Sequence, residues 1–290
     1  MMENWIKAGK ISAEVREYAK TLIKPGEKLF DVAEKIESKI VELGGCVGFP
    51  VNISLNSFAA HYTPVYNDDL IFRDQVVKVD IGVCVEGAIG DSAFTVDLSG
   101  NYSKLVDASE DALKEASKIL KPGVTLGEIG KTIYNTINSY GYTPIKNLSG
   151  HGLDLYSVHS KPQIPNYDTG DSTKLEKGMF IAIEPFATNG KGMVKESGEA
   201  MIFSQVVKRP VRDPVARKLL AEISELKGLP FASRHFVAKY GQGRLRLALR
   251  ALKQSGIIHD YPPLVEVDNG IVTQAEHSFY IDDEVITLTG

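Results

Sequence analysis

Apolar residues recur at helical spacing in two stretches that echo each other along the chain. Leu22 to Gly44 (LIKPGEKLFDVAEKIESKIVELG) and Ile119 to Gly141 (ILKPGVTLGEIGKTIYNTINSYG) both open near Lys-Pro-Gly, continue as an apolar helical stripe and stop at glycine. Each predicts a helix entered through Pro-Gly and closed by a Gly stop. The echo continues into short apolar runs: VVKVDIGV followed by GDSAFTV in the first half, MFIAIEPF followed much later by AEHSFYI in the second. A carboxylate falls at the equivalent point of each run, pairing Asp80 with Glu184 and Asp91 with Glu276. Two helices alone would match by coincidence at roughly even odds, but the matched carboxylates favour duplication, and so two related halves.

Between Asp80 and Asp91 the segment IGVCVEGAIG alternates loosely and turns near Glu86 and Gly87, which predicts a β-hairpin with the two carboxylates nearly opposite. Cross-strand neighbours have Cβ atoms about 4.5 to 5.5 Å apart, too close for two bare anions and suited to a shared cation. Asp80 and Asp91 are 11 residues apart, whereas Glu184 and Glu276 are 92 apart, so the second half contains an insertion. The patterns VARKLLAEISEL and RLRLALRALKQSG, ended by Gly256 and followed by Tyr261-Pro262-Pro263, predict a helical subdomain over residues 212–260, hung between two strands. The whole chain, 1–290, reads as a single domain with this insertion within it.

With 43% hydrophobic residues in 290, a large core is affordable, and a net charge of -4 argues against a nucleic-acid partner. The run RLRLALR (Arg244 to Arg250) suits one helix face better than a phosphate-binding stripe. The opening MMENWIKAGKISAEVREYAK is amphipathic, with no apolar segment long enough for a signal peptide or membrane span, so a cytoplasmic protein without a membrane partner is expected. Cys46 and Cys84 are the only cysteines, which predicts reduced, buried thiols rather than a disulfide framework.

Asp80, Asp91, His151, Glu184 and Glu276 each place one polar group inside sequence that otherwise reads as core. Unpaired buried carboxylates are too costly to be casual. Four carboxylates and one imidazole suit two divalent cations, and Co, Mn, Fe, Ni and Zn all accept such an oxygen-rich set. His61, before Tyr-Thr-Pro, could merely cap a turn; Phe49 could be plain core; Tyr261, before two prolines, is poorly explained as core. His235, His259 and His277 are expected to be structural or surface groups, and Asp97, Asp282 and Asp283, beside turn signals, to be solvated.

Taken together, FPVNISLNSFAAHYTP, VVKVDIGV, GDSAFTV, SGHGLDLYSVHS, FIAIEPFATNGKG, YPPLVEV and TQAEHSFYI resemble the type II methionine aminopeptidases, the archaeal and eukaryotic class, over nearly the whole length. The resemblance implies the α+β "pita-bread" fold: two α-β repeats around a curved antiparallel sheet, with a late helical insertion. It implies a hydrolase that removes the initiator methionine from nascent proteins and peptides with a small second residue, by attack of a water or hydroxide held between two divalent metal ions. Carried over by residue, Asp80 would chelate one metal, Asp91 and Glu276 would bridge both, and His151 and Glu184 would complete the other. Glu184 would also transfer a proton. His61 and His159 would flank the substrate peptide, and Phe49 and Tyr261 would wall the methionine pocket with His159 nearby. A nascent-chain substrate, ribosome association and a monomeric state are the implied partners and assembly. An Xaa-Pro dipeptidase would share the ligand pattern but usually carries an additional N-terminal domain, for which Asp80 arrives too early. A non-catalytic scaffold of the same fold is disfavoured because all five ligand positions are filled.

Overall fold

The computed structural model describes residues 2–290. Helices α1 (Met2–Leu22), α2 (Leu29–Glu42), α3 (Ser103–Ile119) and α4 (Leu126–Ser139) cover two antiparallel sheets, and α5 (Pro214–Ser224), α6 (Arg234–Tyr240) and α7 (Gln242–Gln254) lie late in the chain. The two echoed segments enter their helices in the same way. Gly26 and Gly123 both take φ +92°, a left-handed conformation open to glycine. Each turn then docks its helix start on an extended segment: Gly26 and Leu29 donate their N–H groups to Phe72 and Leu70, and Gly123 and Leu126 donate theirs to Leu175 and Thr173.

In the first half, Cys46–Leu55 pairs with Val76–Val85, which pairs with Ala88–Asp97. The hairpin turns through Glu86 (φ 49°) and Gly87 (φ 94°), the pair of left-handed residues that a two-residue loop requires. Its register corrects one expectation. Asp80 faces Ala93 and Asp91 faces Gly82, so the two carboxylates are diagonal neighbours on one face rather than directly opposite. α1 and α2 bury Val15, Ile36 and Ile40 against Val51, Val79 and Ile81. α1 lies so close that a Cβ on Gly90 would sit 2.5 Å from the Ala8 carbonyl oxygen.

The second half repeats the plan with a five-stranded sheet in the order Ile286–Thr287, His277–Tyr280, Phe180–Ile183, Ser149–Asp154, Ser157–Pro165. α3 and α4 pack Ala112, Ile129 and Ile133 on Ile164, Ile181 and Phe279. A capping box between Thr125 and Glu128 starts α4. The two sheets meet where Glu276 N–H donates to Ala93 at 3.0 Å, and α1 crosses to the second half by stacking Trp5 on Phe180 with ring centroids 3.8 Å apart.

α5 to α7 lie between Ile202–Gln205 and Ile258–Tyr261, two strands that pair with Ile202 opposite Tyr261. Asp213 caps α5 by accepting from Ala216 N at 2.7 Å, with Pro214 in the first turn. α7 buries Leu245, Leu249 and Leu252 and leaves Arg244, Arg246 and Arg250 exposed, as an amphipathic helix should. These helices share a core of their own with Phe203 and Phe231.

Two further expectations are corrected. Cys84 is buried but Cys46, at the open end of its strand, is exposed. Asp97 is half-buried rather than solvated: its carboxylate accepts from Ser99 N, Gly100 N and Tyr102 N, which orders the turn into α3. Among the described residues no helix is long and apolar enough to cross a membrane.

Candidate metal centre

The inner ends of both sheets open on one cavity of about 240 Å³, and all nine residues singled out from the sequence line it. Asp80 and Asp91 come from the hairpin and His151 from Ser149–Asp154. Glu184 follows Phe180–Ile183 directly and Glu276 immediately precedes His277–Tyr280, so both sit where a strand ladder stops. His61 leaves the short strand Phe58–Ala60 with φ 60°, while His159, Phe49 and Tyr261 project from three further strands.

Asp91, His151 and Glu276 are buried and each offers a donor atom within 4.8 Å of the others. His151 Nε2 lies 3.8 Å from Asp91 Oδ2 and 3.7 Å from Glu184 Oε1. Its other nitrogen, Nδ1, is 3.2 Å from the Gly152 carbonyl, which assigns the proton to Nδ1 and leaves Nε2 with a free lone pair among the carboxylates, open to a cation. The flanking glycines hold this strand in place. A Cβ on Gly150 would be 2.3 Å from the Ala182 oxygen and one on Gly152 2.0 Å from the Lys161 oxygen.

Burial and mutual repulsion set the electrostatics. Burial pushes Asp80 up to about 7, and burial with neighbouring negative charge holds Asp91, Glu184 and Glu276 well above the usual carboxylate range. Burial, together with the neighbouring His159, pushes His151 down to about 3 and His61 down to about 4. Asp80 Oδ1 and Asp91 Oδ1 are buried with no hydrogen-bond partner. Oxygen atoms left in that state beside two more carboxylates and a free imidazole nitrogen fit divalent cation binding.

Around the carboxylates stand aromatic groups. His159 packs edge-on to His151 with centroids 4.6 Å apart, and His61 packs edge-on to Tyr261 at 5.6 Å. Tyr261 is anchored by a 2.9 Å hydrogen bond between its hydroxyl and Ser204 Oγ. Phe49 lies flat over Gly82: a Cβ there would come within 2.2 Å of the ring. The other histidines face elsewhere. His235 bonds Glu37 at 3.0 Å, His259 packs on Tyr261, and His277 Nδ1 is 3.0 Å from both Arg16 Nη1 and Thr289 Oγ1.

Three buried polar residues on the strands of the two sheets and the strand beside them were not anticipated. Asn52 faces Asp80 across the strands, Gln274 Nε2 lies 3.5 Å from Glu184 Oε2, and buried Lys78 donates to the Asn56 carbonyl at 2.8 Å. Each was visible as a polar interruption of an apolar run, in VNISL, VTQAE and VVKVD. A search for carboxylates and imidazoles passes over them.

A two-repeat α+β fold around a buried carboxylate-histidine cluster defines a metal-dependent peptidase, and residues 3–207 match metallopeptidase family M24. The chain belongs to that family. Within it, a methionine aminopeptidase of Methanocaldococcus jannaschii is 49% identical over 99% of this chain and 97% of its own length. Methionine aminopeptidase 2 of Schizophyllum commune is 36% identical over 96% of this chain and 70% of its own. The crystal structure of the Thermotoga maritima methionine aminopeptidase superposes with a TM-score of 0.71, at 25% identity, over 99% of this chain and 95% of that one, and shares the pita-bread fold.

Proposed function

We propose that this chain is a type II methionine aminopeptidase, which removes the initiator methionine from nascent proteins and peptides with a small second residue. The observation that carries the reading is convergence: residues scattered from Phe49 to Glu276 line a single cavity, and four of them are carboxylates crowded together. Residues 1–290 form one catalytic unit, with 212–260 as a helical insertion within it.

Two divalent cations, drawn from Co, Mn, Fe, Ni and Zn, would be held here: Asp80 would chelate one, Asp91 and Glu276 would serve both, and His151 and Glu184 would complete the second. Such a pair of cations supplies a water of depressed pKa and polarises the scissile carbonyl. The chain's own residues supply the rest. Glu184 accepts the proton of the attacking water and returns it to the leaving amine. His61, held neutral at pH 7 because burial lowers its pKa to about 4, can donate a hydrogen bond to the oxygen on which charge develops. His159 orients the peptide from the other side. Phe49 and Tyr261 form the apolar wall against which the first side chain packs, and the confined volume selects a single N-terminal residue.

The substrate is a peptide or nascent chain, the working state is a monomer, and ribosome association follows from action on nascent chains. Peptides beginning Met-Ala and Xaa-Pro, offered to protein loaded with each metal, test the reading. Release of free methionine from the first alone is expected; cleavage of the second without a need for methionine would make the chain a dipeptidase, and inactivity on both a scaffold. Across a Met-X series, Gly and Ala should be cleaved best, with Val and Thr still accepted. Lys or Phe should fall about a hundredfold, because even ~1 Å of misplacement at the scissile carbonyl can cost that much. Rates insensitive to X would count against the proposed pocket.

A further inference from the structure

A second buried polar cluster lies between the helical insertion and the first half. Arg234, at the start of α6, has a side chain only 1% exposed. All three guanidinium nitrogens are engaged: Nε donates to Glu34 at 3.2 Å, Nη1 to Thr63 Oγ1, and Nη2 to Glu37. Glu37 on α2 also accepts from Val51 N at 3.0 Å, and Thr63 Oγ1 donates to the Val51 carbonyl at 2.7 Å. His235 adds a 3.0 Å contact to the second Glu37 oxygen.

The guanidinium ties α2, which lines no part of the cavity, to the His61 loop directly and to the Phe49 strand through Glu37 and Thr63, and both of those segments carry cavity walls. Thr63 is two residues beyond His61, whose left-handed backbone (φ 60°) must be held by its surroundings. Val51 lies between Phe49 and Asn52, which both line the cavity. Arg234 follows Pro230, another cavity residue, while its neighbour Ser233 donates its N–H to Met201, next to cavity-lining Ile202. Arg234 itself does not line the cavity.

We infer that Arg234 is a positioning residue for the proposed aminopeptidase site: a buried guanidinium that fixes the His61 loop, the Phe49 strand and the insertion wall in one geometry, without touching substrate. A buried ion pair contributes little net stability compared with a well-packed apolar replacement, so anchoring the cavity gives the cluster a role that folding alone does not. Only a planar fork can reach Thr63, Glu34 and Glu37 together, which a lysine ammonium cannot do.

The inference rests on the reading of the site given above, and its test keeps the two separable. Arg234→Met, Arg234→Lys and Thr63→Val are compared with the wild-type chain, each loaded with cobalt, by kinetics on a Met-Ala peptide, metal content and amide hydrogen exchange. Arg234→Met should keep its metal, raise KM about tenfold to a hundredfold with a smaller change in kcat, and speed exchange at residues 51–53 and 61–63 at least tenfold. Exchange within α3, residues 104–118, which packs in the second-half core and shares none of these contacts, should stay unchanged. Arg234→Lys should recover the kinetics only in part. Thr63→Val, which removes the Arg234 contact to the His61 loop together with the Thr63 bond to the Val51 carbonyl and leaves both ion pairs to Glu34 and Glu37 in place, should move the same quantities less, and it decides the matter if Arg234→Met does not fold. Unaltered KM and unaltered local exchange in folded variants, even with a lowered melting temperature, would reduce the cluster to a stability element and overturn the inference. A wild-type chain that does not cleave Met-Ala peptides would sink the proposed function, while the exchange data would still decide the role of Arg234.

Discussion

At the scale of the residue, the proposed ligand roles separate by what each loss removes. Asp91→Ala or Glu276→Ala takes away a group assigned to both cations, so activity should vanish and metal content should fall at both sites. Asp80→Ala should preferentially empty one. Two equivalents of metal retained by Glu276→Ala, measured by elemental analysis after dialysis, would contradict bridging. His61 sits beside the cluster but belongs to a different constellation, edge-on to Tyr261. His61→Ala should keep its metals and lose about a hundredfold to a thousandfold in kcat, the usual cost of one donor aimed at transition-state charge. Metal loss in that variant would instead make His61 a ligand.

At the scale of the element, the hairpin register governs two functions at once. Because Asp80 and Asp91 are offset by two positions, they share a face, and Gly82 lies opposite Asp91. Gly82 has no side chain, and the Phe49 ring occupies the space above it. Gly82→Ala would push that ring into the cavity while leaving both carboxylates in their strands. KM for a Met-Ala peptide should then rise by about tenfold or more, consistent with a misplacement near 1 Å, with metal content unchanged. An unaltered KM would show that Phe49 does not bound the substrate. The echoed helix entries illustrate the same economy, since Gly26 and Gly123 make equivalent turns that let each helix layer dock on its own half.

At the scale of the whole molecule, two halves that would each be comfortable alone bring four carboxylates together, and pH controls what that costs. In the metal-free chain, Asp80 is pushed up to about 7 and Asp91, Glu184 and Glu276 stand well above the usual range. A carboxyl whose folded pKa is raised keeps its full contribution to stability below its unfolded value, near 4, and loses it as pH rises through the folded value. The metal-free fold should therefore weaken toward pH 8, and metal should restore it by replacing the protons. Below about pH 6.5 the lowered pKa of His61 acts in the opposite sense, but it does so in both metal-free and loaded chains and cancels from their difference. The melting-temperature gain from added metal should be larger at pH 8 than at pH 5, and calorimetry in buffers of different ionisation enthalpy should register proton release at pH 7. Equal gains at both pH values would refute the linkage.

The sequence by itself determined the two echoed helices, the helical character of the insertion and the hairpin turn, because Pro-Gly entries, Gly stops and the Glu-Gly pair are local signals whose backbone demands do not depend on distant residues. It also picked out the carboxylates and histidines, since a charge inside an apolar run is legible without knowing what surrounds it. What it did not contain was position across the chain. The diagonal offset of Asp80 and Asp91 follows from where the turn closes the ladder, Cys46 is exposed because its strand ends at an edge, and Asp97 is drawn inward by the backbone amides of the turn into α3. Nothing in the local sequence marks Arg234 or Glu37, and only the packing of the insertion against α2 buries them against each other. Local spacing fixes which residues a chain can offer, while burial and long-range register are properties of the assembled sheets and decide what those residues meet.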